Sequence, residues 1–281
     1  MITSTIETIT PAIAQNWLDA SKTENRPFSQ AVISSYADTM KKGNWLLNGE
    51  AITFDEKGNL LNGHHRLKAV IASASNIQSF VVRGVTSKAF STFDCGRNRT
   101  FGQLITMQGC INGNNTAAIL RLYLALKNGN EMNNYGSYDL IKNLHETNKS
   151  MMDFFLKNKT FFEDITSIAS SVCGKARLLN ASFVGGSIAY LIKDCGYKKE
   201  NVVEFFTQLC SVDTAKNNTI NILRRRLSED RNNRKDRLLS KIHSALSIKC
   251  WNAVMTKKTV KIFNWNRETE GFPKYLKANE I

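Results

Sequence analysis

The run Gly58-Asn59-Leu60-Leu61-Asn62-Gly63-His64-His65-Arg66-Leu67-Lys68-Ala69-Val70 holds the residues of this 281-residue chain best suited to chemistry. It reads as a strand, a glycine turn and a helix opening with three side chains able to carry positive charge. Asn62 is of a type that caps helices, Gly63 lets a backbone approach a ligand closely, and His64, His65 and Arg66 fall in the first turn. There the amide N–H groups lack intrahelical acceptors and the positive end of the helix dipole favours an anion. Cations at that end cost roughly a few tenths of a kcal/mol unless an anion is near, so the arrangement predicts a phosphate or nucleotide site. Leu67, Val70, Ile71 and Ala74 make the apolar stripe of this helix, and the stripe extends back to His64. His64 therefore reads either as a packing residue or as a ligand residue, while His65 and Arg66 lie off the stripe.

Three further groups are candidates. Glu50, after Asn48-Gly49 and just ahead of a strand, is the nearest carboxylate in sequence; if that strand pairs with Leu60-Leu61, Glu50 shares a pocket with the Gly63 turn as a general base or Mg2+ ligand, with His65 as its catalytic companion. Its alternative is a solvated turn glutamate, and Asp55 and Glu56, beside Lys57-Gly58, are expected for turn reasons alone. Asp94, Gly96, Arg97, Arg99 and Thr100 form a second cluster, in which an extended backbone points Arg97 and Arg99 to one side, where both can meet phosphate. Alternatively, Thr100 caps a helix through Leu104, Ile105 and Met107 and the arginines are solvated. The third group is the basic stretch 222–261, with 12 Lys/Arg to 3 Asp/Glu, including Arg224, Arg225, Arg226, Arg231, Arg234 and Lys235 as DNA-contacting candidates. Three consecutive arginines on a helix fan over about 200°, which suits a broad contact with a phosphate backbone better than one pocket.

With Phe54-Asp55 ahead of it, the Asn62-Gly63-His64-His65-Arg66-Leu67-Lys68-Ala69 run resembles the D/N-G-x-H-R-L-x-A signature of ParB/sulfiredoxin-like domains, particularly the ParB-like nuclease proteins of phages and plasmids. Trp45-Leu46-Leu47-Asn48-Gly49-Glu50 upstream and Phe93-Asp94-Cys95-Gly96-Arg97-Asn98-Arg99-Thr100 downstream extend the likeness over roughly residues 1 to 110. Trp251-Asn252-Ala253, Trp265 and Phe272-Pro273 continue it weakly beyond. The resemblance implies a small mixed sheet with helices, a turn and helix start that hold phosphates of a nucleotide or of DNA, and nuclease or nucleotide phosphate chemistry with Mg2+ and a nucleoside triphosphate. Two departures stand out: the aspartate of the signature is Asn62 here, and the sulfiredoxin cysteine is missing, so sulfiredoxin activity is not expected.

Composition bounds the partners. The net charge of +14 and pI near 9.6 favour a polyanion such as DNA. Residues 1–110 hold 11 Lys/Arg against 8 Asp/Glu, net +3, and residues 111–281 hold 27 against 16, net +11, so the second half carries most of the field. No apolar run reaches the roughly 18 residues of a membrane span, and Met1-Ile2-Thr3-Ser4-Thr5 lacks the form of a signal peptide; the expectation is a cytoplasmic protein with no membrane partner. The 6 cysteines include no C-x-x-C pair and read as buried free thiols. P-loop, Rossmann, H-E-x-x-H and G-x-S-x-G motifs are missing from the chain.

The elements that must position these residues follow from periodicity. Residues 2–9 alternate as a strand; helices are predicted from Pro11 and over 29–42, with Gly43 as the stop. Short strands are expected at 51–54 and 59–61, the signature helix to about Ala74, and a buried strand at 78–83. From Asn114 the pattern is helical, with stripes at Ile119, Leu122, Leu126, at Leu140, Ile141, Leu144, at Phe154 to Ile165 and at Val202 to Leu209. The predicted class is α+β, as an α+β domain over 1–111 and an all-α basic domain over 112–281. Three roles remain open for such a protein: an enzyme acting on phosphates, a DNA-binding module without turnover, and an interaction protein meeting an acidic host protein, with a dimer compatible with each.

Overall fold

Thr3–Ile9, rich in β-branched Thr and Ile, forms β1 in the computed structural model. The structure describes residues 1–21, 28–92, 99–129, 148–174, 178–211, 215, 217–232, 239–266 and 268–281. Pro11–Ala20 follows as α1, with Pro11 in the first turn and the Thr10 hydroxyl accepting the Ile13 N–H at 3.2 Å. Next come α2 (Gln30–Lys41), β2 (Ala51–Asp55), β3 (Leu60–Asn62), α3 (His64–Ser73) and β4 (Ile77–Val85). Gly43, just past α2, takes φ 66°, the left-handed conformation that ends helices readily at glycine.

The four strands form one mixed sheet in the order β1-β4-β2-β3. β1 pairs antiparallel with β4 (Ile6 opposite Phe80), β4 parallel with β2 (Val81 opposite Ile52), and β2 antiparallel with β3 (Thr53 opposite Asn62). Ile9, Ile52, Leu60, Val81, Leu67 and Val70 are fully buried together with Ala14 of α1 and Ile33, Ala37 and Met40 of α2. At the rim of this core Arg83 pairs with Glu7 and lies over the rings of Trp17 and Phe54. The expected strand and helix order of this half is observed. The buried face of α3 differs in detail: Leu67, Ala69, Val70 and Ser73 are enclosed, whereas Ala74 is exposed, at φ 51° beyond the helix end.

The remainder is helical: α4 (Phe101–Met107), α5 (Gly113–Lys127), α6 (Asn148–Lys157), α7 (Lys159–Cys173), α8 (Ala181–Lys193), α9 (Lys199–Cys210), α10 (Asn218–Asn232) and α11 (Leu239–Met255). Together with the sheet these make a mixed α+β chain that is mostly helical. α5 is apolar around much of its circumference, as a central helix must be: Ile119, Leu120, Leu122 and Tyr123 are all buried. α8 lies against it at short range because Gly185-Gly186 offers no side chain where Ile119 and Leu122 project. The predicted stripe at Leu140, Ile141 and Leu144 lies outside the described residues.

Trp251 is fully buried, Trp265 and Phe272 pack edge to face at 5.6 Å, and none of the three is a surface platform. Asn252 clamps the chain end, donating to the Lys274 carbonyl at 2.8 Å and accepting the Leu276 N–H at 3.1 Å.

The chain divides into two units, Met1–Asn98 and Arg99–Ile281. α4 and α5, on either side of Asn112, are closely packed: a Cβ on Gly102 would lie 2.2 Å from Asn114 Oδ1, and one on Gly113 2.0 Å from Thr106 Oγ1 and 2.5 Å from the Gly102 carbonyl oxygen. Gly113→Ala is accordingly expected to destabilise the helical unit by about 2–3 kcal/mol, because backbone rather than a flexible side chain must move. Differential scanning calorimetry should show a Tm lower by about 4–10 °C. Gly49→Ala is the control and leaves Tm unchanged, since nothing lies within 4 Å of the Cβ it adds.

Candidate phosphate turn and basic surface

The β3 to α3 turn is built by a glycine under two constraints. Gly63 takes φ 116°, a backbone conformation other residues rarely adopt, and a Cβ there would meet Ile52 Cγ1 at 3.1 Å and Cγ2 at 3.2 Å. Its close approach is thus to the core of β2. Asn62, expected to cap the helix, instead closes β3 opposite Thr53; the cap position belongs to Gly63, and no side chain bonds the helix start there. A side-chain cap needs the residue immediately before the helix, and the strand pairing extends one residue further than expected. His64, His65 and Arg66 do occupy the first turn, and the first helical bond runs from Leu67 N–H to the Gly63 carbonyl at 2.9 Å.

The side chains of that turn are engaged with the protein. Arg66 donates from Nη1 to the Glu50 carbonyl at 2.7 Å and from Nη2 to the Ala51 carbonyl at 2.8 Å, fastening α3 to the start of β2. His65 Nε2 accepts the Ser29 N–H at 3.1 Å, at the residue that begins α2, and its ring meets Phe28 edge-on at 5.8 Å. An imidazole that accepts at Nε2 is neutral with its proton on Nδ1. His64 is half-buried, and burial first, with repulsion from His65 in its protonated form second, pushes its imidazole below the ordinary value. Glu50 is exposed, in a turn where its N–H bonds Asn48 Oδ1 at 2.9 Å. Its backbone is therefore beside Arg66 as the strand-pairing argument anticipated, and its side chain is solvated. Among the described residues, no group of three or more His, Cys, Asp or Glu is placed to hold a metal ion.

Asp55 is a heavily bonded carboxylate. Its Oδ1 accepts the N–H groups of Lys57 (2.8 Å) and Asn59 (2.7 Å), and its Oδ2 the Asn59 amide (3.0 Å) and the Ser87 hydroxyl (3.0 Å). Burial alone pushes the carboxyl up, but these bonds outweigh it and hold it at about 2. The D-x-K-G-N spelling signals the turn; the bond to Ser87, beyond β4, has no sequence signal.

The other candidates are dispersed. Gly96 and Arg97 lie outside the described residues, as do Arg234, Lys235 and the Arg231 side chain. Arg99 is exposed and directly precedes a capping box, in which Thr100 Oγ1 accepts the Gln103 N–H at 3.2 Å and Thr100 N–H donates to Gln103 Oε1 at 2.8 Å. On α10 the three arginines separate as helix geometry requires. Arg224 points inward, bonding the Ser211 carbonyl and Asn221 Oδ1; Arg226 pairs with Asp230 at 3.1 Å; Arg225 is exposed. Asp230 also meets His243 Nε2 of α11 at 3.3 Å, and burial pushes His243 below its ordinary value despite that carboxylate. Exposed Lys257, Lys258 and Lys261 follow α11. No family model, curated protein or solved structure matches the chain.

Two outcomes follow from this geometry. Arg66→Ala removes two charge-assisted bonds and should cost about 1.5–3 kcal/mol of stability, read as a lower urea midpoint with unchanged slope; a mutant as stable as the parent would mean the fork contributes nothing. For the two depressed imidazoles the sign is that the unfolded chain binds protons more readily than the fold. Stability is then retained above the ordinary value of about 6.5 and lost as pH falls toward the lowered folded values. Thermal melts should show Tm falling as pH drops below about 6.5, and the His64→Gln/His243→Gln double variant should flatten that slope. Loss of the Asp55 contribution comes only in stronger acid, as pH falls through about 2.

Proposed function

We propose that this protein binds nucleic acid through the phosphate backbone, with its basic helical unit supplying most of the affinity and the first turn of α3 supplying a phosphate contact of the ParB/sulfiredoxin-like kind. The carrying observation is the charge: net +14, of which residues 111–281 hold +11, with Arg225, Lys257, Lys258 and Lys261 exposed to solvent. Binding without turnover is the favoured version, because His65 and Arg66 bond backbone groups of the protein itself and Glu50 is a solvated turn residue. An anion at α3 would meet the positive end of the helix dipole.

A nuclease or nucleotide-hydrolysing role is the second reading, supported by the signature's resemblance and by an α3 first turn free of acidic residues. In it Glu50 supplies one oxygen ligand to Mg2+ and the α3 amides hold the phosphates of a nucleoside triphosphate. A protein partner with an acidic surface is the third.

Fluorescence anisotropy with a labelled duplex at several salt concentrations tests the proposal. The wild type should lose affinity steeply with salt, and Arg225→Gln should lower the slope of log affinity against log salt by about 0.9, the value for one phosphate contact. Lys257→Gln/Lys258→Gln/Lys261→Gln should lower it by about 2–3. Arg224→Gln should leave the slope unchanged and reduce stability, because that guanidinium is spent inside the unit. A wild type that fails to bind DNA even at low salt overturns the nucleic-acid reading in favour of the acidic protein partner.

A further inference from the structure

Past α11 the chain reverses and packs back on its own unit as an extended arm. The reversal is a Schellman motif: the Lys257 N–H donates to the Val254 carbonyl at 3.2 Å and the Lys258 N–H to the Ala253 carbonyl at 2.9 Å. Such a motif puts the residue after the cap in the left-handed region, where glycine is usual, and here Lys257 occupies it at φ 54°. Thr256, Lys258, Lys261 and Ile262 around this hinge are exposed. From Gly271 to Lys277 the arm forms neither helix nor strand.

The unit holds this arm in the way a groove holds a peptide. Asn252 of α11 donates to the Lys274 carbonyl at 2.8 Å and accepts the Leu276 N–H at 3.1 Å, the Tyr197 hydroxyl donates to the Leu276 carbonyl at 3.1 Å, and the Ala278 N–H donates to the Cys195 carbonyl at 2.8 Å. Every second residue from Lys274 to Ala278 is thus bonded through its backbone, which fixes an extended chain whatever its side chains. Phe272 and Tyr275 are the buried anchors, and Tyr275 lies 6.2 Å from the Tyr190 ring of α8. Lys249 of α11 secures the start of the arm, donating to the Asn264 carbonyl at 2.8 Å and pairing with Glu270.

We propose that the chain beyond Lys257 is an exchangeable arm, and that the groove made by Tyr197, Lys249 and Asn252 takes the arm of a second copy to form a reciprocally exchanged dimer. Complementarity sets the occupant: a second copy offers the same anchors and the same backbone groups, so exchange conserves every arm contact and changes only the hinge. The balance between closed monomer and dimer then turns on Lys257. In the closed form its backbone is held in a conformation that costs a non-glycine residue; in the exchanged form it leaves that conformation, and each dimer relieves both hinges. The inference is independent of the nucleic-acid reading, because it uses the backbone of Lys257 and not its charge.

Equal amounts of unlabelled and heavy-nitrogen-labelled full chain are mixed at high concentration, warmed, cooled and separated by size-exclusion chromatography with light scattering. A species of twice 31.6 kDa should appear beside the monomer. A zero-length carbodiimide then condenses the Lys249 amine with the Glu270 carboxylate to an amide, with loss of water, and trypsin releases Ile242–Lys257 joined to Glu268–Lys274. In the dimer about half of these cross-links should pair a light with a heavy peptide, the proportion random exchange gives, whereas in the monomer both peptides carry one label. Lys257→Gly removes the hinge strain from the closed form and should raise the dimer's dissociation constant by about tenfold or more, with the monomer's Tm no lower than that of the parent. Same-label cross-links alone, or a chain that stays monomeric after warming, overturns the proposal; an equal dimer yield from Lys257→Gly overturns the role of the hinge.

Discussion

The Arg66 fork on the carbonyls of Glu50 and Ala51 is the contact on which the N-terminal unit depends. β2 is five residues long and lies inside the sheet, so its start must be held in line with both β4 and the helix that follows β3. The fork does this from α3, and Gly63 completes it by letting the helix entry sit directly on Ile52. At the opposite end of the same strand, Asp55 gathers the turn and the chain beyond β4 through four hydrogen bonds. Charge-assisted bonds of this kind contribute about 1.5–3 kcal/mol each, a large share of a typical domain's net stability of about 5–15 kcal/mol.

The same contacts bear on function. A guanidinium held by two carbonyls and an imidazole accepting a backbone N–H are committed to the fold, so an anion at α3 must rely mainly on backbone amides and on the helix dipole. A site of that make-up would position a phosphate with few side chains available for proton transfer. This is the physical ground for preferring binding over turnover.

In the helical unit the controlling constraint is close approach. Gly185-Gly186 and the Gly102 and Gly113 pair bring α8 and α4 onto α5, and the apolar sides of α7 and α9 close around them. Polar groups carried inside are mostly matched, as in the Cys110–Thr116–Thr166 chain. Arg224 is one of several exceptions: it is drawn inward by the Ser211 carbonyl and keeps one unmatched donor at Nε. One arginine of a basic run is thereby removed from the surface field and given an interior role.

Much of this was legible in the chain itself. The β-branched alternation of residues 2–9, Pro11, the Gly43 stop, the Gly58 and Gly63 turns and the helical stripes after Asn114 determine element order and class, because local sterics and periodicity act over a few residues. Pairing between distant residues was not legible. That Arg66 reaches the Glu50 and Ala51 carbonyls, that His65 accepts from Ser29, that α4 packs with α5 and that Arg224 turns inward follow from which groups tertiary packing brings within hydrogen-bond reach. A cation at a helix start reads identically in sequence whether its partner is a ligand or the backbone of a neighbouring strand; the distance to Glu50 and Ala51 is a property of the folded sheet alone.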